Sequence, residues 1–224
     1  MKRIILIVTI LISGVTFAQK PIDKVLGEFI ELKVYDLIEV ELVKSNENKA
    51  VITGNNTEDV ILLNKNGILK IRMSIGKSYD GNKTKVTLYY TTLDVIDVNE
   101  GAKVYSTDVI KQFEVTLKAQ EGGSIQVLLD VSYANIKAVT GGSIKTKGTA
   151  KSQKVLLLTG GLYRGEELGT NKTDVSINAA GEAHVKASKL VAAKIRVGGD
   201  VYVYGNPETL NENTTLGGRI KKME

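Results

Sequence analysis

From residue 102 onward the apolar positions of this chain come in bursts too short for helices, and the bursts keep a fixed interval. A small residue, a spacer and an inward residue occur as Ala102-Lys103-Val104, Gly123-Ser124-Ile125, Gly142-Ser143-Ile144, Gly161-Leu162-Tyr163, Gly181-Glu182-Ala183, Gly199-Asp200-Val201 and Gly218-Arg219-Ile220. The small residue therefore advances in steps of 21, 19, 19, 20, 18 and 19. A second burst precedes five of these anchors: Thr116-Leu117-Lys118-Ala119, Asn135-Ile136-Lys137-Ala138, Val155-Leu156-Leu157-Leu158, Val175-Ser176-Ile177-Asn178 and Lys194-Ile195-Arg196-Val197. These alternate apolar with polar or run apolar, and β-branched residues are frequent, which is the pattern of strands. Each unit reads as strand, glycine turn, strand and connection.

A unit of about nineteen residues is too short for a strand, helix and crossover, and too small to close a core by itself. Stacking does close one, because each inward Ile, Val or Leu lands on its counterpart in the next unit at the ~4.8 Å strand spacing. The interval thus predicts an all-β fold, a parallel β-helix (β-solenoid) with about 19-residue coils over 99–224. Glycine belongs at the corner, where a Cβ would obstruct a tight turn. An antiparallel meander or sandwich also gives short strands with regular turns. Meander strands need no common phrase at a fixed interval, and this chain keeps one over six steps.

The stretch before the repeats, 25–98, is strand-rich but less regular. Strands are expected at Phe29 to Val34, Ile38 to Val43, Ala50 to Thr53, Val60 to Leu63, Ile68 to Met73, Val86 to Tyr90 and Val95 to Val98. Asn66-Gly67 between Leu62-Leu63 and Ile68-Leu69 is a hairpin signal. This section is expected to hold antiparallel pairing and to cover the first coil, since a solenoid end must be capped against open-edge association. At the far end Asn206-Pro207 closes a regular coil, and Asn211 to Thr215 reads as a polar loop. No linker divides 19–224, which is expected to be a single β-helical domain.

Composition adds a compartment. Lys2 and Arg3 precede an apolar run, Ile4 to Ile12, and then small residues before Gln19, which predicts a signal peptide over 1–18 cleaved after Ala18. With no Cys there is no disulfide framework, thiolate metal site, Cys nucleophile or lipoprotein anchor. Loss of Lys2 and Arg3 lowers the formal charge from +5 to +3, with both signs mixed along the chain. That is a solvated surface, not a nucleic-acid footprint. Glycine, at 22 residues, exceeds the usual share while Pro is only 2, so the excess marks turns and not disorder.

Candidate chemistry is sparse. One coil apart, Glu100 aligns with Glu121 and Glu182 with Asp200, but Thr140 and Thr159 end the first row, and Leu162 and Arg219 flank the second. Two stacked acids read as a solvated corner. Glu166-Glu167 near Arg164 reads as a solvent-facing loop after Gly161. His184 is the only histidine and is expected to be a surface or partly buried side chain on a strand. The glycine pairs lack the continuation of a calcium-binding nonapeptide, and no phosphate-loop string occurs. Tyr89-Tyr90, and Tyr202 with Tyr204 on one strand face, are the candidate sugar platforms, with packing as the more ordinary role.

The order of these elements resembles a known family. Phe29-Ile30-Glu31-Leu32-Lys33-Val34 with Ile38-Glu39-Val40-Glu41-Leu42, the step Asn66-Gly67-Ile68-Leu69-Lys70-Ile71, the anchors about twenty residues apart, and the closing Gly199-Asp200-Val201-Tyr202-Val203-Tyr204-Gly205-Asn206-Pro207 are similar to the head domain of auto-transporter adhesins, the GIN domain family. The tripeptide that names the family is not present literally, the nearest strings being Gly67-Ile68-Leu69 and Ser176-Ile177-Asn178. The resemblance implies a right-handed β-helix and an exported protein of Gram-negative bacteria, in the periplasm, at the outer membrane or on the cell surface. The expected function is that of a non-catalytic adhesin-like or scaffold protein, with a glycan or cell-surface protein as partner and with no cofactor, metal or catalytic residue. A polysaccharide lyase or hydrolase on the same fold would need clustered carboxylates and a base converging from separate coils. A binder of lipid or another apolar ligand would need a cavity, whereas inward Ile, Val and Leu suggest a filled interior.

Overall fold

The computed structural model describes residues 21–224, so the predicted leader, 1–18, lies outside the described residues. Strands β1 to β8 cover Ile22–Val25, Glu31–Val34, Glu39–Lys44, Lys49–Gly54, Val60–Lys65, Ile68–Met73, Thr84–Tyr90 and Val95–Val98. Strands β9 to β16 cover Lys103–Gln120, Ser124–Val139, Ser143–Leu158, Gly161–Ile177, Gly181–Val197, Asp200–Tyr204, Thr209–Leu216 and Arg219–Lys222. No α-helix occurs among the described residues. From β9 to β13 every neighbour pairs in parallel, and β14 to β16 continue the stack. The chain is a β-helix, as its interval predicts.

The register reproduces the anchor alignment residue for residue. Val104, Ile125, Ile144, Tyr163, Ala183, Val201 and Ile220 are paired in succession, and Val40 and Val86 extend this ladder on the other side. Two further inward ladders face it, one through Leu69, Leu32, Ile96, Leu117, Ile136, Val155 and Val175, the other through Ile71, Val34, Val98, Ala119, Ala138, Leu157, Ile177 and Ile195. All of these except Ile220 are buried, so the interior is filled with side chains. In one respect the unit differs from expectation. The connections are themselves strand, because the backbone stays in register with the neighbouring coil around most of each turn of the helix. Only the glycine corner interrupts it.

That corner makes two separate demands. Glu100 and Gly101, Glu121 and Gly122, and Thr140 and Gly141 all have positive φ, between 50° and 75°. Each pair is closed by an N–H to carbonyl bond, as in Gly123 to Gln120 at 2.8 Å, which is the type I′ turn. The anchor that follows is small for a different reason. A Cβ on Gly142 would lie 2.0 Å from the carbonyl oxygen of Ala119 in the neighbouring coil, and one on Gly123 would lie 2.3 Å from that of Val98. Successive corners bond to one another, Gly122 N–H to the Thr140 carbonyl and Gly141 N–H to that of Thr159, both at 3.2 Å.

Before residue 98 the order in space departs from the order in sequence. The coil made by β2 and β3 lies between that of β6 and β7 on one side and that of β8 and β9 on the other. Asp36 and Leu37, with φ of 59° and 62°, form its corner. The Asp36 carboxylate is buried and accepts the Met73 and Tyr79 N–H groups, each at 2.9 Å, holding the loop between β6 and β7 against that corner. The expected cap is present: β5 pairs antiparallel with β6 through the Asn66-Gly67 turn, and β4 and β1 add antiparallel beyond β7. At the opposite end, Asn211 to Thr215 is strand and not loop. As part of β15 it satisfies its backbone on β13, while its side chains stay exposed because nothing described lies beyond them.

Inside coils β11 to β13 the core carries a polar chain. The hydroxyls of Thr146 and Tyr163 are 2.8 Å apart, and Tyr163 donates to Gln153 Oε1 at 2.7 Å. Gln153 Nε2 donates to the Thr173 hydroxyl at 2.9 Å, which meets that of Thr170 at 2.9 Å. The ring finds room because Ala183 follows it in the ladder and Gly165 lies against it, where a Cβ would come within 2.4 Å of the ring. Burial holds the Tyr163 phenol well above its ordinary value, and burial also raises those of Tyr35 and Tyr90. Above pH ~10 the unfolded chain releases these protons while the folded chain keeps them, so stability falls as pH rises through that range and is unaffected below it. Thermal melts from neutral pH to about pH 11 are expected to be flat and then fall, with a shallower fall in Tyr163→Phe. A parallel fall in the variant would show that Tyr163 is not among the groups responsible.

Candidate corner groove

Most residues singled out in the sequence are occupied with one another. Glu182 and Asp200 are neighbours in register, as aligned, but Glu182 Oε1 contacts His184 Nε2 at 2.8 Å and Asp200 takes a two-pronged bond from Arg219 at 2.7 and 2.8 Å. Arg219 holds the Asp200 carboxyl below its usual range. Glu100 and Glu121 sit at successive corners, and burial raises Glu100, with Asp36 adding to the effect. Glu166-Glu167 is not a loop. It lies on β12 where one extra residue bulges against β11, and Glu167 pairs with Lys147 at 2.7 Å. Among the described residues no group of three or more His, Cys, Asp or Glu could hold a metal ion.

The tyrosine candidates turn out to be packed. Tyr90 is buried and Tyr89 half-buried. Tyr202 and Tyr204 do share the outer face, yet Tyr202 stacks on the His184 ring at 4.6 Å and 18°, and Lys221 Nζ lies 5.7 Å from its ring centre. The imidazole covers Tyr202, and Tyr204 donates to or accepts from His184 Nδ1 at 3.2 Å. His184 is half-buried on a strand, as expected.

An open aromatic pair lies elsewhere among the described residues, on positions the sequence reading passed over. Phe113 on β9 is 69% exposed and meets Tyr133 on β10 edge to face at 5.3 Å. A signal was available: in register, Phe113 falls beside Ser132 and Lys151, and Tyr133 pairs with Glu114 and Ser152, so both aromatics stand in otherwise polar outward rows. Phe113 borders a groove that follows the corner opposite the glycine turns. Its central part, about 570 Å³, is lined by Lys111, Phe113, Asp130, Ser132, Thr149, Lys151 and Asn171, among others. Flanking parts of about 320 Å³ each extend it to Asp94 and Glu114 at one end and to Lys186, Ser188 and Gly205 at the other.

The floor is made by the inward residues Val131 and Ala150 in the central part and Thr170 and Ala187 in the flanking one. The strands also slip register nearby, between Gln126 and Leu128, Lys145 and Lys147, Gly165 and Gly169, and Thr170 and Lys172. Such bulges bend strands and re-aim side chains, and they favour functional rims. Of the groove carboxylates, Asp130 is held by Lys111 at 3.1 Å and by the Thr149 hydroxyl at 3.4 Å. Asp94 and Glu114 stand at the end nearest Phe113. No helix among the described residues is long and apolar enough to cross a membrane.

Comparison with known proteins agrees with this architecture. A putative adhesin from Bacteroides fragilis is 19% identical, with a TM-score of 0.83 over 92% of this chain and 98% of that one. A putative adhesin from Parabacteroides merdae, 13% identical, has a TM-score of 0.69 over 92% and 96% of the two chains. A putative lipid binding protein from Parabacteroides distasonis, 15% identical, has a TM-score of 0.67 over 92% and 98%. At these identities the likeness is one of fold. No curated protein matches the sequence. The family described as putative auto-transporter adhesin, head GIN domain, matches residues 28–207, and the chain belongs to it.

Proposed function

We propose that this chain is an exported, non-catalytic, adhesin-like protein of the cell envelope that holds an extended glycan or protein segment along its corner groove. The continuous groove, running parallel to the stack over successive coils, carries the reading. A stack of bonded strands keeps its outward rows in fixed register, so many weak contacts along the axis add without a deep pocket. The export leader, the single-domain organisation of 19–224 and a location in the periplasm or on the surface are parts of the same proposal. Incubation of the mature chain, 19–224, with arrayed bacterial and host glycans, followed by product analysis, is expected to give retention without cleavage. Shortened or unsaturated products would sink the reading in favour of a polysaccharide lyase or hydrolase.

Lipid binding is a second reading, favoured by the name of one structural relative. The filled ladders leave the groove, and not the interior, as the place for an acyl chain. Organic extraction of purified protein followed by mass spectrometry would decide it, since a stoichiometric lipid would displace the glycan reading.

A further inference from the structure

The groove is not electrically uniform. Its unheld acids gather at the Phe113 end, as Asp94 and Glu114, while Lys151 and Lys186 line it further along. Lys151 on β11 and Lys186 on β13 are exposed and form no ion pair with a described residue, and Lys172 and Lys189 are exposed next to the lining without being part of it. The carboxylates near this stretch include Asp130, held by Lys111, and the exposed Asp174 and Glu208, which stand outside the lining. Between the lysines the lining is neutral and hydrogen-bonding, with Ser132, Thr149, Asn171 and Ser188. One occupant satisfies both features: hydroxyl-rich along its length, and anionic.

A peptide could not be held here by joining the sheet as an extra strand. The strands under the groove are interior to the stack and already bonded on both edges. A sugar chain needs no such edge. The strand spacing of ~4.8 Å is close to the length of one pyranose ring with its glycosidic oxygen, so successive sugars would meet successive coils. The open surface of Phe113 can take the C–H face of a ring, and the unpaired ammonium groups can take carboxylates.

We infer that the groove takes an acidic linear polysaccharide lying along the stack, with a sugar ring on Phe113 and carboxylates at Lys151 and Lys186. This rests on the groove being the binding site. The test is affinity electrophoresis of the mature chain through gels containing polygalacturonate, hyaluronan, neutral dextran or poly-glutamate, at low and high salt. The acidic polysaccharides are expected to retard it, with weakening at high salt. Dextran should not, and poly-glutamate should bind at least about tenfold more weakly. The pair Lys151→Gln/Lys186→Gln should lose about tenfold or more in affinity, and Phe113→Ala should weaken binding without changing its salt dependence. The pair Lys137→Gln/Lys194→Gln, on a different outer face, should stay within about twofold. Circular dichroism melts of each variant separate lost folding from lost binding.

Equal retardation by neutral and acidic sugars would overturn the anionic assignment and leave the groove reading standing. Poly-glutamate binding as well as the polysaccharides would overturn it in favour of an acidic protein partner. Equal losses from the two lysine pairs would reduce it to nonspecific charge. Failure to bind any polysaccharide, here and on the array, would remove the glycan reading with it.

Discussion

Gly142→Val is expected to cost more than about 4 kcal/mol, enough to abolish folding of a marginally stable chain. The new Cβ would stand 2.0 Å from the Ala119 carbonyl oxygen and 2.4 Å from its carbon, both backbone atoms of the neighbouring coil. No rotamer change relieves that contact. The coils would have to part locally, breaking the ladder bonds on either side. Gly141→Ala, one residue away, is the informative partner. Its added methyl meets nothing within 4 Å, and the only penalty is the left-handed φ of 71°, about 1–2 kcal/mol. Denaturant midpoints by circular dichroism measure both. Equal effects would mean that the corner is governed by backbone conformation alone and that the coils are not packed as closely as described.

Tyr163→Ala is the second large loss, about 3–5 kcal/mol, because it empties a wholly buried ring site whose neighbours Ala183 and Gly165, with a methyl group and a hydrogen, are too small to refill it. Tyr163→Phe keeps the ring and removes the hydroxyl, leaving Thr146 and Gln153 each short of a partner at a cost of about 1–3 kcal/mol. Adding Thr146→Val and Gln153→Leu to Tyr163→Phe replaces the stranded groups with apolar ones and is expected to restore part of that loss. A further fall in the triple variant, read from the same denaturant curves, would contradict the view that unpaired groups dominate the cost.

The coil architecture was legible because it is written redundantly. Each anchor repeats the same steric requirement, so Gly123, Gly142 and Gly161 could be aligned before any contact was known. The hairpin at Asn66-Gly67 was legible for a local reason, as two left-handed residues in succession favour that pair. The interleaving of the first coils was not legible. Nothing in Leu32 or Leu69 states whether the partner is nearby in sequence or one coil further on. The bonded groups that make 209–216 into strand are likewise on the backbone, as Leu210 to Thr214 show by pairing with β13 despite a polar sequence. The groove was missed for a third reason. Tyr202 and Tyr204 drew notice as a strand pair, whereas Phe113 becomes conspicuous only when its row is read across coils.

The interleaved start has a consequence for how the chain is made. Synthesis releases the amino end first, yet the coil of β2 and β3 needs β6 and β7 on one side and β8 and β9 on the other. Lys33 and its ion-pair partner Asp97 are separated by 64 positions. A nascent chain that stops short of β9 therefore holds its future centre with one flank bare, and contacts this distant in sequence form slowly. Once β9 has emerged, the situation reverses. Every later coil needs only the edge left by its predecessor, so growth proceeds by templated addition from a seed near the amino end toward the carboxyl end.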